Sequence, residues 1–135
     1  VAERAERGVL DTCAYLDLAL LDPETLPRHP ELTSVTMAEL HQGVAMAKDP
    51  VARAARTEQT GAAMVDFAPT LPFDNDAAAR YGSLVALTVG RRRDPRSHRL
   101  DLMIAAIASV HELPLYTRNA ADFAGLESMV DVVAL

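Results

Sequence analysis

The sequence predicts an α/β fold, a domain built on a mainly parallel central sheet. Three observations carry that reading. Short apolar runs alternate with longer stretches of helical periodicity. The stretch Arg99–Val110 repeats Leu100, Met103, Ile104 and Ile107 at helical spacing with alanines between, so this helix is apolar nearly all round and belongs inside the fold. Half of the 135 residues are apolar, enough for one good core in a single domain over residues 1–135.

The elements follow in order. Val9-Leu10, after Gly8, reads as a buried first strand ending at Asp11, and Thr12 leads into an apolar helix reaching about Leu21. Pro23, Pro27 and Pro30 mark a turn-rich connection. Thr33-Ser34-Val35 is the expected second strand. A helix then starts at Thr36 and runs to about Ala47, and Pro50 opens another extending to about Phe67. Leu71-Pro72-Phe73 is extended, and Asp74 is a good N-cap for the helix through Tyr81, Leu84 and Val85. Residues 90–98 form a basic, helix-ending loop ahead of the buried helix. Residues 113–117 read as a strand, 119–123 as a loop or single turn, and 130–133 as the last strand.

Composition narrows the function classes. The net charge of −6 does not describe a generally basic nucleic-acid binder, yet five of the twelve arginines fall between Arg91 and Arg99. Cys13 is the only cysteine, which excludes an internal disulfide and a thiolate zinc cluster, and a buried, inert thiol is expected there. His29, His41, His98 and His111 show no metal-ligand spacing and read as surface or capping groups, although His98 could touch phosphate from within the arginine loop. The N-terminus lacks the apolar core of a signal peptide, and no apolar run is long enough for a bilayer, so a cytoplasmic protein without a membrane segment is expected. Lys48 lies in no phosphate-binding loop.

Four acids carry the candidate chemistry, and each has a plain structural explanation beside it. Asp11 could begin a turn after the first strand. Glu39, three residues after Thr36, fits a capping box. Asp101 complements the dipole of the buried helix. Asp122 stands three after Asn119, as a local cap would. Ligands of parallel sheets bind beyond the carboxyl ends of the strands, which puts Asp11 and the 119–122 loop on one edge. Converging carboxylates repel one another unless a cation sits among them, and hard oxygen donors without cysteine favour Mg²⁺ or Mn²⁺. Such a site suits phosphodiester hydrolysis, and arginine suits gripping phosphates.

Val9-Leu10-Asp11-Thr12, Thr36-Met37-Ala38-Glu39-Leu40, the run from Leu100 to Ala106 and the run from Thr117 to Phe123 together resemble the four signature segments of PIN-domain ribonucleases, most closely the VapC-type toxins of bacterial toxin–antitoxin pairs. The similarity covers essentially the whole chain in the family's order. It implies a three-layer α/β/α PIN domain that cleaves RNA at a Mg²⁺ or Mn²⁺ site, with Asp11, Glu39, Asp101 and Asp122 as catalytic, metal-site acids. Thr12 and Thr117 would orient ligands and Asn119 would line the site. The resemblance also implies a homodimer and a cognate VapB-type antitoxin. Arg91, Arg92, Arg93, Arg96 and Arg99 are the candidate RNA-backbone contacts. The competing readings are a catalytically silent PIN-like scaffold for RNA or antitoxin, and a metal-dependent phosphatase or DNA nuclease using the same acids. Cysteine catalysis by Cys13 with His41 lacks an orienting partner.

Overall fold

A computed structural model of the chain describes residues 4–135. Among these, strands β1 (Arg7–Leu10), β2 (His29–Glu31), β3 (Leu115–Thr117) and β4 (Val132–Ala134) form one sheet in the order β2-β1-β3-β4, with every pairing parallel. The helices are α1 (Thr12–Leu16), α2 (Ser34–Ala45), α3 (Pro50–Asp66), α4 (Asn75–Gly90) and α5 (Arg99–Val110).

Strand alternation sends neighbouring side chains to opposite faces, and this builds two cores. Val9 of β1 pairs with Leu115 of β3, and both enter a core with Leu84 of α4 and Leu102, Ile104 and Ile107 of α5. The next pair, Leu10 and Tyr116, enters the other core, with Tyr15 of α1, Leu32, Leu40 of α2 and Ala63 of α3. The expected three layers follow directly. Residues 104–108 of α5 are fully buried, as its all-round apolar character requires. Gly8 has a steric reason too: a Cβ there would sit 2.5 Å from Cε2 of Tyr116.

Several boundaries differ from the sequence reading. Helix α1 ends at Leu16 rather than Leu21, because Asp17 turns its N–H onto the carbonyls of Cys13 and Tyr15 and a 3₁₀ turn follows at Leu18–Leu20. Leu20 is 77% exposed, so its apolarity reflects no burial. The second strand is His29–Glu31, not Thr33–Val35. Pro30 is tolerated because β2 lies at the sheet edge. Thr33 makes only an isolated bridge to Leu71 and then caps α2, its hydroxyl accepting from the N–H of Thr36 at 3.2 Å. The β-branched run imitates a strand, but the cap prevails and Val35 turns into the core from a helix. The last two strands begin two residues later than expected.

A candidate metal centre

Parallel strands deliver Asp11 and the loop after β3 to the same end of the sheet. The ladder continues one step past β1, where the Asp11 N–H donates to the Tyr116 carbonyl at 3.1 Å. Asp11 is 3% exposed; its Oδ1 caps α1 by accepting from the Ala14 N–H at 2.8 Å, and the Thr117 hydroxyl also donates to its carboxylate. Thr117 in turn accepts the Asn119 N–H at 2.9 Å, tying the following loop to Asp11. Asp11 therefore does begin a turn, and that same turn fixes its carboxylate at the site.

Glu39 is placed differently from the capping-box expectation. Thr33 is the cap, which frees the Thr36 hydroxyl to lie 2.9 Å from that of Thr12. Thr12 donates to Glu39 Oε1 at 2.7 Å, so its one proton is spent and Thr36 must be the donor to Thr12. The relay Thr36–Thr12–Glu39 orients one carboxylate oxygen and leaves Oε2 available. The site role of Thr36 is not legible in the sequence, where its TxxE spacing reads as a cap.

Asp101 stands in the first turn of α5, as the dipole explanation has it, but it is not isolated there. One donor atom each from His98, Asp101 and Asp122 lies within 4.8 Å of the others. Asp122 sits on a single 3₁₀ turn, Ala120–Phe123, whose preceding Asn119 makes no side-chain cap bond, so the local-cap explanation of that pair is not realised. His98 corrects the view of the histidines as surface or capping groups: it does not cap α5, and it belongs to the acidic cluster.

The electrostatics agree with the geometry. Burial pushes the Asp11 carboxyl above its ordinary range, and the charges of Asp101 and Asp122 push it further against the pull of its hydrogen bonds. Burial likewise raises Glu39, with Asp101 and Asp11 adding to it and the Thr12 bond opposing. Asp101 is raised by burial and by Asp122, with His98 opposing. Carboxylates held this way are short of positive charge. A divalent cation fits the donor set, with Asp101, Asp122 and His98 nearest one another and Asp11 and Glu39 flanking.

The arginines divide by position. Arg93 donates to the carbonyls of Ala121 and Ala124 at 3.3 and 3.5 Å, and the Arg91 side chain lies over Gly125, whose φ of +92° suits glycine. Both thus brace the loop that carries Asp122. Arg96 grips Asp94 through two 3.1 Å contacts. Arg92 and Arg99 are exposed, and Arg96, His98 and Arg99 share with Glu39 and Asp101 an open groove of about 460 Å³. A slightly larger cavity lies away from these acids, where Arg80 is committed to the Ser109 hydroxyl. Cys13 is exposed rather than buried, and desolvation with the surrounding acids raises its thiol pKa, the wrong direction for a nucleophile. Among the described residues, no helix is long and apolar enough to cross a membrane.

No protein-family model matches the sequence. Ribonuclease VapC5 of Mycobacterium tuberculosis is 36% identical over 128 residues, spanning 93% of this chain and 91% of that protein. The crystal structure of VapBC-5 from the same organism, a member of the VapBC family of toxin–antitoxin systems, superposes with a TM-score of 0.79 at 33% identity, covering 96% of this chain and 99% of that one. FitAcB from Neisseria gonorrhoeae superposes with a TM-score of 0.72 at 26% identity, over 92% of this chain and 94% of that one. VapBC-1 from nontypeable Haemophilus influenzae, at 18% identity and a TM-score of 0.74, shares the fold. With its four acids gathered at the end of a parallel sheet, the chain belongs to the VapC-type PIN-domain ribonucleases of toxin–antitoxin systems.

Proposed function

We propose that this chain is a metal-dependent endoribonuclease toxin that hydrolyses RNA phosphodiester bonds and is neutralised by a cognate VapB-type antitoxin. The observation that carries the reading is the set of four carboxylates at one end of the sheet, three of them raised by burial and by each other's charge. The name of the VapC5 relative and the toxin–antitoxin complexes among the structural neighbours support the same class of activity and partner. A single PIN domain acting as a homodimer completes the proposal.

Asp101 and Asp122 would hold Mg²⁺ or Mn²⁺, with Asp11 and Glu39 in reach of the same charge. The cation, when bound, supplies Lewis acidity toward a phosphodiester oxygen and neutralises developing negative charge. The chain's own residues do the rest. Thr12 holds Glu39 by Oε1, leaving Oε2 to accept a proton from the attacking water, and its raised pKa suits that role. Asp11 is locked in position by the Ala14 N–H and the Thr117 hydroxyl, which hold its carboxylate at the site. Arg96 and Arg99 line the groove beside these acids, where an RNA backbone would lie.

Induced expression in a bacterial host tests this reading. The wild-type chain is expected to arrest growth, and Asp101→Asn to abolish arrest while accumulating to the same level. Equal arrest by both proteins contradicts catalysis by this site and favours a catalytically silent scaffold.

A further inference from the structure

His98 reaches the acids by a tightly built turn. Asp94 accepts the Arg96 N–H at 2.9 Å, Pro95 opens the turn, and the Ser97 hydroxyl donates to the Asp94 carbonyl at 3.1 Å. This sets His98 at the N-cap position of α5, where the side-chain oxygen of a Ser, Thr, Asp or Asn would accept a helical N–H. The imidazole makes no such bond. It leans instead toward Asp101, with Nδ1 3.5 Å from Oδ2, longer than the roughly 2.7–2.9 Å of a well-made charge-assisted hydrogen bond. The ring is left with this single long contact to an acid.

A cation accounts for it. His98 and Asp101 come from the start of α5 and Asp122 from the turn after β3, and their donor atoms lie within 4.8 Å of one another. An octahedral ion with bonds of about 2.1 Å holds its donors roughly 3.0–4.2 Å apart, close to the spacing found here. Arg96, on the same turn, is held by Asp94.

We infer that His98 is a direct ligand of the cation shared by Asp101 and Asp122, making the centre a mixed nitrogen–oxygen site that selects Mn²⁺ over Mg²⁺. The inference rests on the metal-dependent reading above and deepens it. Imidazole nitrogen adds affinity for transition ions, whereas Mg²⁺ prefers hard oxygen donors and retains its waters. The rival arrangement keeps His98 outside the coordination sphere, donating from Nδ1 to Asp101.

Pulsed electron paramagnetic resonance of Mn²⁺ bound to the full chain separates the two. With ¹⁵N-histidine in place of ¹⁴N, the wild-type spectrum is expected to show a directly coordinated nitrogen, and His98→Gln to lose it. Titration calorimetry is expected to show Mn²⁺ affinity falling about tenfold or more in His98→Gln, while Mg²⁺ affinity changes about threefold at most. His29, His41 and His111 lie outside the acidic cluster, so the isotope comparison reports on His98 even if His98→Gln folds poorly. Bound Mn²⁺ without nitrogen coupling, or coupling that survives in His98→Gln, overturns the assignment and leaves a carboxylate centre standing. Mg²⁺ binding without Mn²⁺ binding by the wild type overturns this assignment alone, and binding of neither ion overturns the metal-dependent reading with it.

Discussion

Thr12 shows how one hydroxyl can serve folding and function at once. It accepts from the buried Thr36 and donates to Glu39, so removing it strands two partners. Thr12→Val is expected to lower stability by about 1–3 kcal/mol, read from urea unfolding, because the Thr36 hydroxyl loses its acceptor in a dry environment. The same substitution should weaken cation binding, since Glu39 loses its orientation. Asp11 makes the opposite case. Its folded pKa lies above the ordinary 3.8, so its proton favours the folded state. That contribution is full below the unfolded value and is lost as pH rises through the folded one. Asn also caps helices well, so Asp11→Asn removes the charge and keeps the cap. In chelator at pH 7 this variant is expected to melt a few degrees above the wild type, with the gap closing toward pH 4. Added Mn²⁺ should then raise the wild-type melting temperature more than the variant's. A wild type that melts above Asp11→Asn in chelator at pH 7 contradicts the repulsion described for the site.

At the scale of elements, what the sequence made legible depended on how local the deciding interactions were. Helix α5 was legible because its burial is written in every turn, and α4 because Asp74 caps it through its own side chain, accepting from the Ala77 N–H at 3.0 Å. Glu39 and Asp122 could be named as candidates, but their local explanations were dismissed only when Thr33 proved to be the cap of α2 and Asn119 proved not to cap. His98 was legible as a possible phosphate contact but not as a member of the acidic cluster, because Asp122 comes from a loop more than twenty residues later. The role of Arg91 and Arg93 was hidden for the same reason. They brace the 120–125 turn from the end of α4, and this yields a prediction for that element. Gly125→Ala places a side chain at φ +92° and against Arg91, and is expected to cost about 1–3 kcal/mol. Cation affinity should fall with it, because the displaced turn carries Asp122. Unchanged affinity in a folded Gly125→Ala protein would detach the brace from the site.

For the whole molecule, the parallel sheet does the positioning. Both cores lock β1 and β3 in register, and the ends of those two strands set Asp11 and Thr117 side by side. Helices α2 and α5, on the layers that flank them, bring Glu39 and Asp101 to the same place. The molecule gathers negative charge at one end of the sheet although its net charge is already −6, an arrangement that makes chemical sense when a cation and a polyanion are to meet there. Cleavage of a total cellular RNA pool by the purified, antitoxin-free protein puts this to the test, with Mn²⁺, with Mg²⁺ and with chelator, beside Asp101→Asn. Discrete fragments that require the metal and vanish in the variant are the expected result. Intact RNA in every lane from a folded protein, or identical fragments in chelator or from Asp101→Asn, would contradict a metal-dependent ribonuclease built on these four acids.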